Sequence, residues 1–93
     1  PIDPSVLRSR AENIAKSSVS DNRIVARLVS DLGRSQQLAE LEKIDIWFDH
    51  AVDRGKMKPD PYVYGSLIDA YSRNGDFARA EKLLEKQRTH NIL

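Results

Sequence analysis

The apolar residues of this 93-residue chain recur every three or four positions, in short stretches separated by turn residues. The clearest stretch lies in residues 38–52, where the apolar positions are Leu38, Leu41, Ile44, Trp47, Phe48, Ala51 and Val52. Such spacing places these side chains on one buried face of an α-helix. No segment shows the sustained alternation of apolar and polar residues that is typical of half-buried strands. The pattern therefore predicts an all-α chain without a β-sheet.

Capping residues and glycines divide the chain into about five predicted helices. Asp3-Pro4 and Asp60-Pro61 each place a capping side chain before a proline that suits the first helical position. Further helix starts are expected at Ser20 or Asp21, at Ser35 and at Asp76, and helix ends at Gly33, Gly55 and Asn74-Gly75. Other side chains expected to face the core are Ile24, Val25, Leu28, Val29, Leu32, Tyr64, Leu67, Ile68, Tyr71, Phe77, Ala80, Leu83 and Leu84.

The order of these helices indicates a repeat protein. A helix, a turn and a second helix occur from Asn22 onward and again from Pro61 onward. One such hairpin cannot bury its own apolar face, so neighbouring hairpins must stack. We therefore predict an α-solenoid of antiparallel helical hairpins, with Trp47 and Phe48 in the core between them.

Composition excludes several kinds of chemistry. The chain has no cysteine, so disulfides, thiolate metal sites and cysteine nucleophiles are absent. Its two histidines, His50 and His90, stand apart, and no metal site is expected. The sequence contains neither a glycine-rich phosphate loop nor a recognisable Ser/His/Asp constellation. We therefore expect no enzymatic activity, no cofactor and no small-molecule substrate. No apolar run is long enough for a membrane span, so a membrane partner is not expected.

The second hairpin carries a specific set of residues. They are Lys58-Pro59-Asp60, Tyr64, Leu67-Ile68-Asp69-Ala70-Tyr71, Asn74-Gly75-Asp76-Phe77, Ala80 and Leu83-Leu84. The set resembles the pentatricopeptide repeat (PPR) family, in which a repeat ends in Pro-Asp and the next opens with Tyr and a Leu-Ile-type pair. Ile68 is bulky where the competing tetratricopeptide repeat has glycine, which favours the PPR family.

The resemblance divides the chain into three parts. Residues 61–93 match well and are expected to form the second repeat. Residues 22–60 match more loosely, within a first repeat that spans residues 21–60. Residues 1–20 are expected to be an N-terminal helix or the remnant of a preceding repeat. The resemblance also implies an organelle location, in a mitochondrion or a plastid.

The family implies binding of single-stranded RNA, roughly one base per repeat, read by a few side chains of each repeat. By alignment, base-edge reading falls on Ala26 and Gly65, and Asp60 cooperates in reading. The flanking residues are Arg23 and Tyr62. The family usually has Asn, Asp, Thr or Ser at the reading position, so base-specific reading is not expected from alanine or glycine. Tyr62 can still stack on a base, and Asp60 has helix capping as a competing role.

Basic residues of the first helices and the linker are further candidate RNA contacts. They are Arg23, Arg27, Arg34, Arg73, Lys56 and Lys58. First helices line the concave face in this architecture, so these cations can form a stripe that contacts the phosphates of single-stranded or structured RNA. The formal net charge is only +1 and acidic residues are interspersed, so an ordinary solvated surface is an equal alternative.

Two functions remain open. The first is an RNA-associated PPR module that contacts the RNA backbone with little base specificity, in organelle RNA metabolism or translation. The second is a helical-repeat scaffold that binds other proteins, or a structural subunit of a large assembly such as a ribonucleoprotein. The missing reading side chains favour the scaffold, and the PPR signature and the arginines favour RNA.

Overall fold

The computed structural model describes residues 3–17 and 20–90, which form five α-helices. These are α1 (Pro4–Lys16), α2 (Asn22–Arg34), α3 (Leu38–Asp53), α4 (Pro61–Arg73) and α5 (Phe77–Thr89). No strand occurs within the described ranges, and the predicted all-α class is confirmed. No helix in this part of the chain is both long and apolar enough to cross a lipid bilayer.

The predicted parts 1–20, 21–60 and 61–93 stay predictions. The first part contains residues 1, 2, 18 and 19, which lie outside the described residues, as do residues 91–93 of the last part. Within the described residues, α2 and α3 occupy the predicted first repeat, and α4 and α5 occupy the predicted second repeat.

Aspartate side chains cap four of the five helices, as local spacing predicts. The caps are Asp3, Asp21, Asp60 and Asp76, each of which accepts a hydrogen bond from a backbone N–H of the first helical turn. Gly55 and Gly75 follow α3 and α4 with φ angles of 70° and 80°. This left-handed conformation favours glycine and ends a helix, so both predicted helix ends are confirmed.

The expected helix end at Gly33 is wrong. α2 continues to Arg34, and Gly33 is buried inside it against α4. A β-carbon built at Gly33 would lie 2.6 Å from the β-carbon and 2.9 Å from the α-carbon of Ala70. Glycine is therefore needed here for the close approach of two helices. Ser35 consequently ends α2 instead of capping α3. The residue before α3 is Gln37, which makes no side-chain capping bond.

The helices pack in the manner of stacked hairpins. α2 packs along α4, α4 packs along α5, and α1 contacts both α2 and α3. The amide of Asn74 fastens the α2–α4 contact, because its Nδ2 donates to the Gly33 carbonyl oxygen at 3.0 Å and to that of Ala70 at 2.8 Å. This arrangement leaves the outer faces of α2 and α4 side by side.

The core is continuous and takes apolar side chains from all five helices. Phe48 is 1% exposed, and its ring meets that of Tyr64 edge-on with centroids 5.4 Å apart. Trp47, expected in the core beside Phe48, is only half-buried against it, and its Nε1 donates to the Ser17 carbonyl oxygen at 2.7 Å. Side chains of successive helical residues point about 100° apart, so Trp47 and Phe48 are buried to different extents.

Four side chains expected inside are exposed. Ile24 is 58%, Leu38 is 43%, Phe77 is 65% and Leu84 is 37% exposed. Ile24 lines an open groove between α1 and α2. Phe77 is the first residue of α5, and helical side chains lean toward the helix N-terminus, so it points past the packed part of the helix.

Candidate nucleic-acid interface

The candidate contacts of the two first helices meet in a groove between α2 and α4. This α2–α4 groove has a volume of about 610 Å³ and is lined by Arg23, Ala26, Arg27, Ser30, Tyr62 and Ser66. Four of these residues are predicted from the sequence. Ser30 and Ser66 are not, although each follows a predicted residue by one helical turn, so helical spacing could have found them.

Amphipathic spacing explains why α2 presents this face. Val25, Leu28, Val29 and Leu32 form its buried face. Arg23, Ala26, Arg27 and Ser30 recur at intervals of three and four and therefore share a different face, which lines the groove. On α4, Tyr62 and Ser66 have the same spacing.

The arginines of the groove differ in how strongly they are paired. Arg27 is loosely paired, with its Nε 3.9 Å from Oδ2 of Asp31 and its side chain 80% exposed. Arg23 is exposed and has no carboxylate partner among the residues that the structure describes. Exposed ion pairs contribute little stability, so both guanidinium groups can turn toward a phosphate at small cost.

Tyr62 supplies the aromatic part of the groove. Its side chain is 75% exposed at the start of α4. Its backbone N–H is held by the Asp60 cap at 2.7 Å, which places the residue in the first turn of the helix. An exposed ring on a fixed backbone can stack on any nucleobase, since every base has a π-face.

Both carboxylate oxygens of Asp60 accept hydrogen bonds from within the protein. Its Oδ1 accepts hydrogen bonds from the backbone N–H groups of Tyr62 at 2.7 Å and Val63 at 3.3 Å. Its Oδ2 accepts from Nδ2 of Asn22 at 3.1 Å, which ties the starts of α2 and α4 together. The capping role is confirmed, and the base-reading role stays a prediction.

Asp60→Ala is expected to lower the free energy of unfolding by about 1–2 kcal/mol, because it removes the cap of α4. Asp60→Ser keeps an oxygen that can cap, and should recover most of that loss. Urea unfolding followed by circular dichroism measures both values. Equal stability of the Asp60→Ala variant and the parent chain would show that the cap is not a significant contribution.

The remaining candidates lie elsewhere. Gly65 is exposed, and a β-carbon there would meet nothing within 4 Å. Arg34 and Arg73 meet at the other end of the two helices, in a cavity of about 280 Å³. Nε of Arg73 lies 2.7 Å from Oδ2 of Asp69. The structure thus separates this pair from the α2–α4 groove.

The two linker lysines do not join the arginines. Lys56 lines a different groove, between α1 and α3. Lys58 is exposed in the connection before α4 and lines neither groove. The six basic candidates therefore lie on separate surfaces and do not form a single stripe.

The acidic side of α3 is paired within the protein. Oδ2 of Asp45 accepts a hydrogen bond from the Tyr71 hydroxyl at 2.8 Å, and Oδ1 of Asp49 lies 2.7 Å from Nζ of Lys86. Burial raises the pKa of the Asp45 carboxyl and that of the Tyr71 hydroxyl above their ordinary values. Burial likewise raises the pKa of Tyr64 to about 12, since the charged form is desolvated. These carboxylates are thus directed at α4 and α5.

Chemically, the α2–α4 groove offers cations, an aromatic ring and two hydroxyl groups. That set suits binding of an anion with a stacking ring. Within the described ranges, no group of three or more His, Asp or Glu side chains is placed to hold a metal ion. Whether the chain lacks enzymatic activity stays a prediction.

Residues 56–86 match the family model described as PPR repeat. This segment is similar to a PPR repeat. It includes α4 with Tyr62 and Gly65, whereas Arg23, Ala26 and Arg27 precede the PPR match. No curated protein and no solved structure matched the chain. The resemblance seen in the sequence is confirmed for the second hairpin, and a PPR repeat in residues 22–60 stays a prediction.

Proposed function

We propose that this chain is a PPR module that binds single-stranded RNA in the α2–α4 groove. The observation that carries the proposal is the convergence of Arg23, Arg27 and Tyr62, from two different helices, on one open groove. The PPR family generally binds RNA through its repeats, which supports this ligand over other polyanions.

The groove chemistry favours backbone contact over base reading. Arg23 and Arg27 meet phosphates, Tyr62 stacks on a base, and the hydroxyls of Ser30 and Ser66 reach sugar or phosphate oxygens. Ala26 and Gly65 have no group that can hydrogen-bond a base edge. RNA is therefore held with little base preference.

The extent of the groove limits the affinity. Two PPR hairpins cover only about two bases, which is too few for tight binding by this stretch alone. Arg34 and Arg73 can continue the phosphate path at the far end of α2 and α4. We infer that the chain acts within a larger ribonucleoprotein assembly. A role in organelle RNA metabolism or translation is proposed from the family resemblance alone.

Binding of a single-stranded RNA oligomer should be weak, similar for poly-U and poly-A, and steeply salt-dependent. Each phosphate contact contributes a slope of about 0.7 to the fall of log affinity with log salt. The double variant Arg23→Glu with Arg27→Glu should lower affinity about tenfold or more at low salt, since two contacts become repulsive. Fluorescence anisotropy of labelled RNA measures both effects.

A matched control tests whether position matters beyond net charge. Lys82→Glu with Arg88→Glu makes the same charge change on exposed positions of α5. This control should retain most of the affinity. An equal loss in both double variants, or affinity that ignores salt, would contradict the proposed groove. The absence of binding at low salt, with helicity intact, would leave the protein scaffold as the better function.

Ala26→Asn supplies the amide that the PPR family uses for reading. A base preference is expected to appear only in this variant, because Ala26 lines the groove beside Arg23 and Arg27. The comparison of poly-U and poly-A affinities measures it. A variant that binds RNA without gaining any preference would show that the base does not approach position 26.

A further inference from the structure

A second groove lies between α1 and α3, outside the proposed RNA surface. This α1–α3 groove has a volume of about 360 Å³, and its lining includes Lys43, Ile46, Trp47, Arg54 and Lys56. None of its lining residues lines the α2–α4 groove. The two grooves can therefore be occupied at the same time.

The α1–α3 groove concentrates positive charge in a chain whose formal net charge is only +1. Lys43, Arg54 and Lys56 line it, together with His50, and no described carboxylate does. Nζ of Lys43 is 3.3 Å from Oε2 of Glu40, so that lysine is partly neutralised. Arg54 and Lys56 are exposed and make no ion pair with the described residues. The groove thus complements a negatively charged partner.

Apolar surface lies between these cations. Ile46 is 51% exposed in the middle of α3. Trp47 is half-buried, and its ring N–H is already bound to the Ser17 carbonyl oxygen at 2.7 Å, so the ring offers the groove only apolar surface. A phosphodiester backbone would gain nothing from Ile46. A partner that carries both aliphatic side chains and negative charge would cover the whole lining.

We propose that the α1–α3 groove docks an acidic amphipathic helix of a protein partner. Apolar side chains of that helix pack on Ile46 and Trp47, as in other helix-in-groove complexes. Its carboxylates meet Arg54 and Lys56, which orient the helix and speed its association. Together with RNA in the α2–α4 groove, this surface makes the chain a bridge between an RNA and a protein.

Trp47 provides the readout, because it is the only tryptophan of the chain. The probe is a synthetic helical peptide with leucines at helical spacing and glutamates elsewhere, titrated into the full chain. We expect a shift in tryptophan emission and affinity that falls with rising salt. Two further peptides serve as controls, one with serine in place of leucine and one with lysine in place of glutamate. Both should bind at least about tenfold more weakly.

Charge-reversal variants test whether the peptide binds in the α1–α3 groove. Arg54→Glu with Lys56→Glu should weaken peptide binding about tenfold or more and leave RNA binding unchanged. Arg23→Glu with Arg27→Glu makes the same charge change in the other groove and should leave peptide binding unchanged. The exposed Ile46→Ser variant should weaken peptide binding without loss of helicity. This pair of readouts separates failure of the RNA proposal from failure of the docking proposal.

Three results would overturn the docking proposal. The first is the absence of peptide binding, or equal binding of the serine peptide. The second is unchanged peptide affinity in the Arg54→Glu, Lys56→Glu variant with its helicity intact. The third is quenching of Trp47 fluorescence by an RNA oligomer, if that quenching is lost in the Arg54→Glu, Lys56→Glu variant. This result would make the α1–α3 groove a second nucleic-acid surface.

Discussion

Phe48→Ala is expected to lower the free energy of unfolding by about 3–5 kcal/mol, the usual loss for a large buried aromatic. Phe48 is 1% exposed and supports the Tyr64 ring edge-on, so its removal leaves a cavity where α3 meets α4. Domains of this size have a total stability of only about 5–15 kcal/mol, so we expect much of the variant to unfold at modest urea concentration. Urea unfolding followed by circular dichroism measures the change.

Trp47→Ala is the matched comparison, at the neighbouring position of α3. Its loss should be smaller, about 1–3 kcal/mol, because a half-buried side chain and a single hydrogen bond to Ser17 are removed. A larger loss for Trp47→Ala than for Phe48→Ala would contradict the described orientation of α3. It would also mean that Trp47 is unsuitable as a surface probe of the α1–α3 groove.

Gly33→Ala is expected to lower the free energy of unfolding by about 1–3 kcal/mol, the usual cost of overpacking. The added β-carbon would lie 2.6 Å from that of Ala70, so α2 and α4 must move apart. Alanine in a helix interior is otherwise better than glycine by about 1 kcal/mol, which offsets part of the loss. Glycine-to-alanine changes inside helices ordinarily raise the free energy of unfolding. A decrease for Gly33→Ala is therefore the informative result.

Gly65→Ala is the control for this prediction. Gly65 also lies inside a helix, but a β-carbon there meets nothing within 4 Å. The Gly65→Ala substitution should raise the free energy of unfolding by up to about 1 kcal/mol. If Gly33→Ala were as stable as Gly65→Ala, the close approach of α2 and α4 would be wrong.

The Gly33 contact also bears on function. It sets the spacing of α2 and α4, and therefore the width of the groove that holds Arg23, Arg27 and Tyr62. A folded Gly33→Ala variant should bind RNA more weakly, although Gly33 is buried away from the groove. Anisotropy measured on that variant would test whether groove width matters.

The candidate site could be predicted in part. Helical spacing and the PPR resemblance place Arg23, Ala26, Arg27 and Tyr62 together, because residues three or four apart share a helix face and first helices stack. Lys56 could not be placed in this way. A connection has no periodicity, and the direction in which it leaves α3 depends on how α1 packs there.

Short-range features of the sequence determined the all-α class of this fold and the places where most of its helices begin and end. Asp60 before Pro61 begins a helix, and Gly75 in the left-handed conformation ends one, because capping and φ preferences act within a few residues. The match of residues 56–86 to the PPR repeat model likewise depends on residue types at short spacings. None of these statements requires knowledge of which helices touch.

Only the tertiary structure decided the role of Gly33 and the degree of burial of Trp47. A glycine near the end of an apolar stretch can end the helix, or it can allow a second helix to pack closely. The neighbouring residues in the sequence look the same in both cases. The close approach of Ala70, 37 residues later, distinguishes the two cases. The separation of Lys56 from Arg23 has the same cause, since grooves form between helices that are distant in sequence. Contacts of this kind depend on the three-dimensional packing of whole helices, which short-range spacing does not specify.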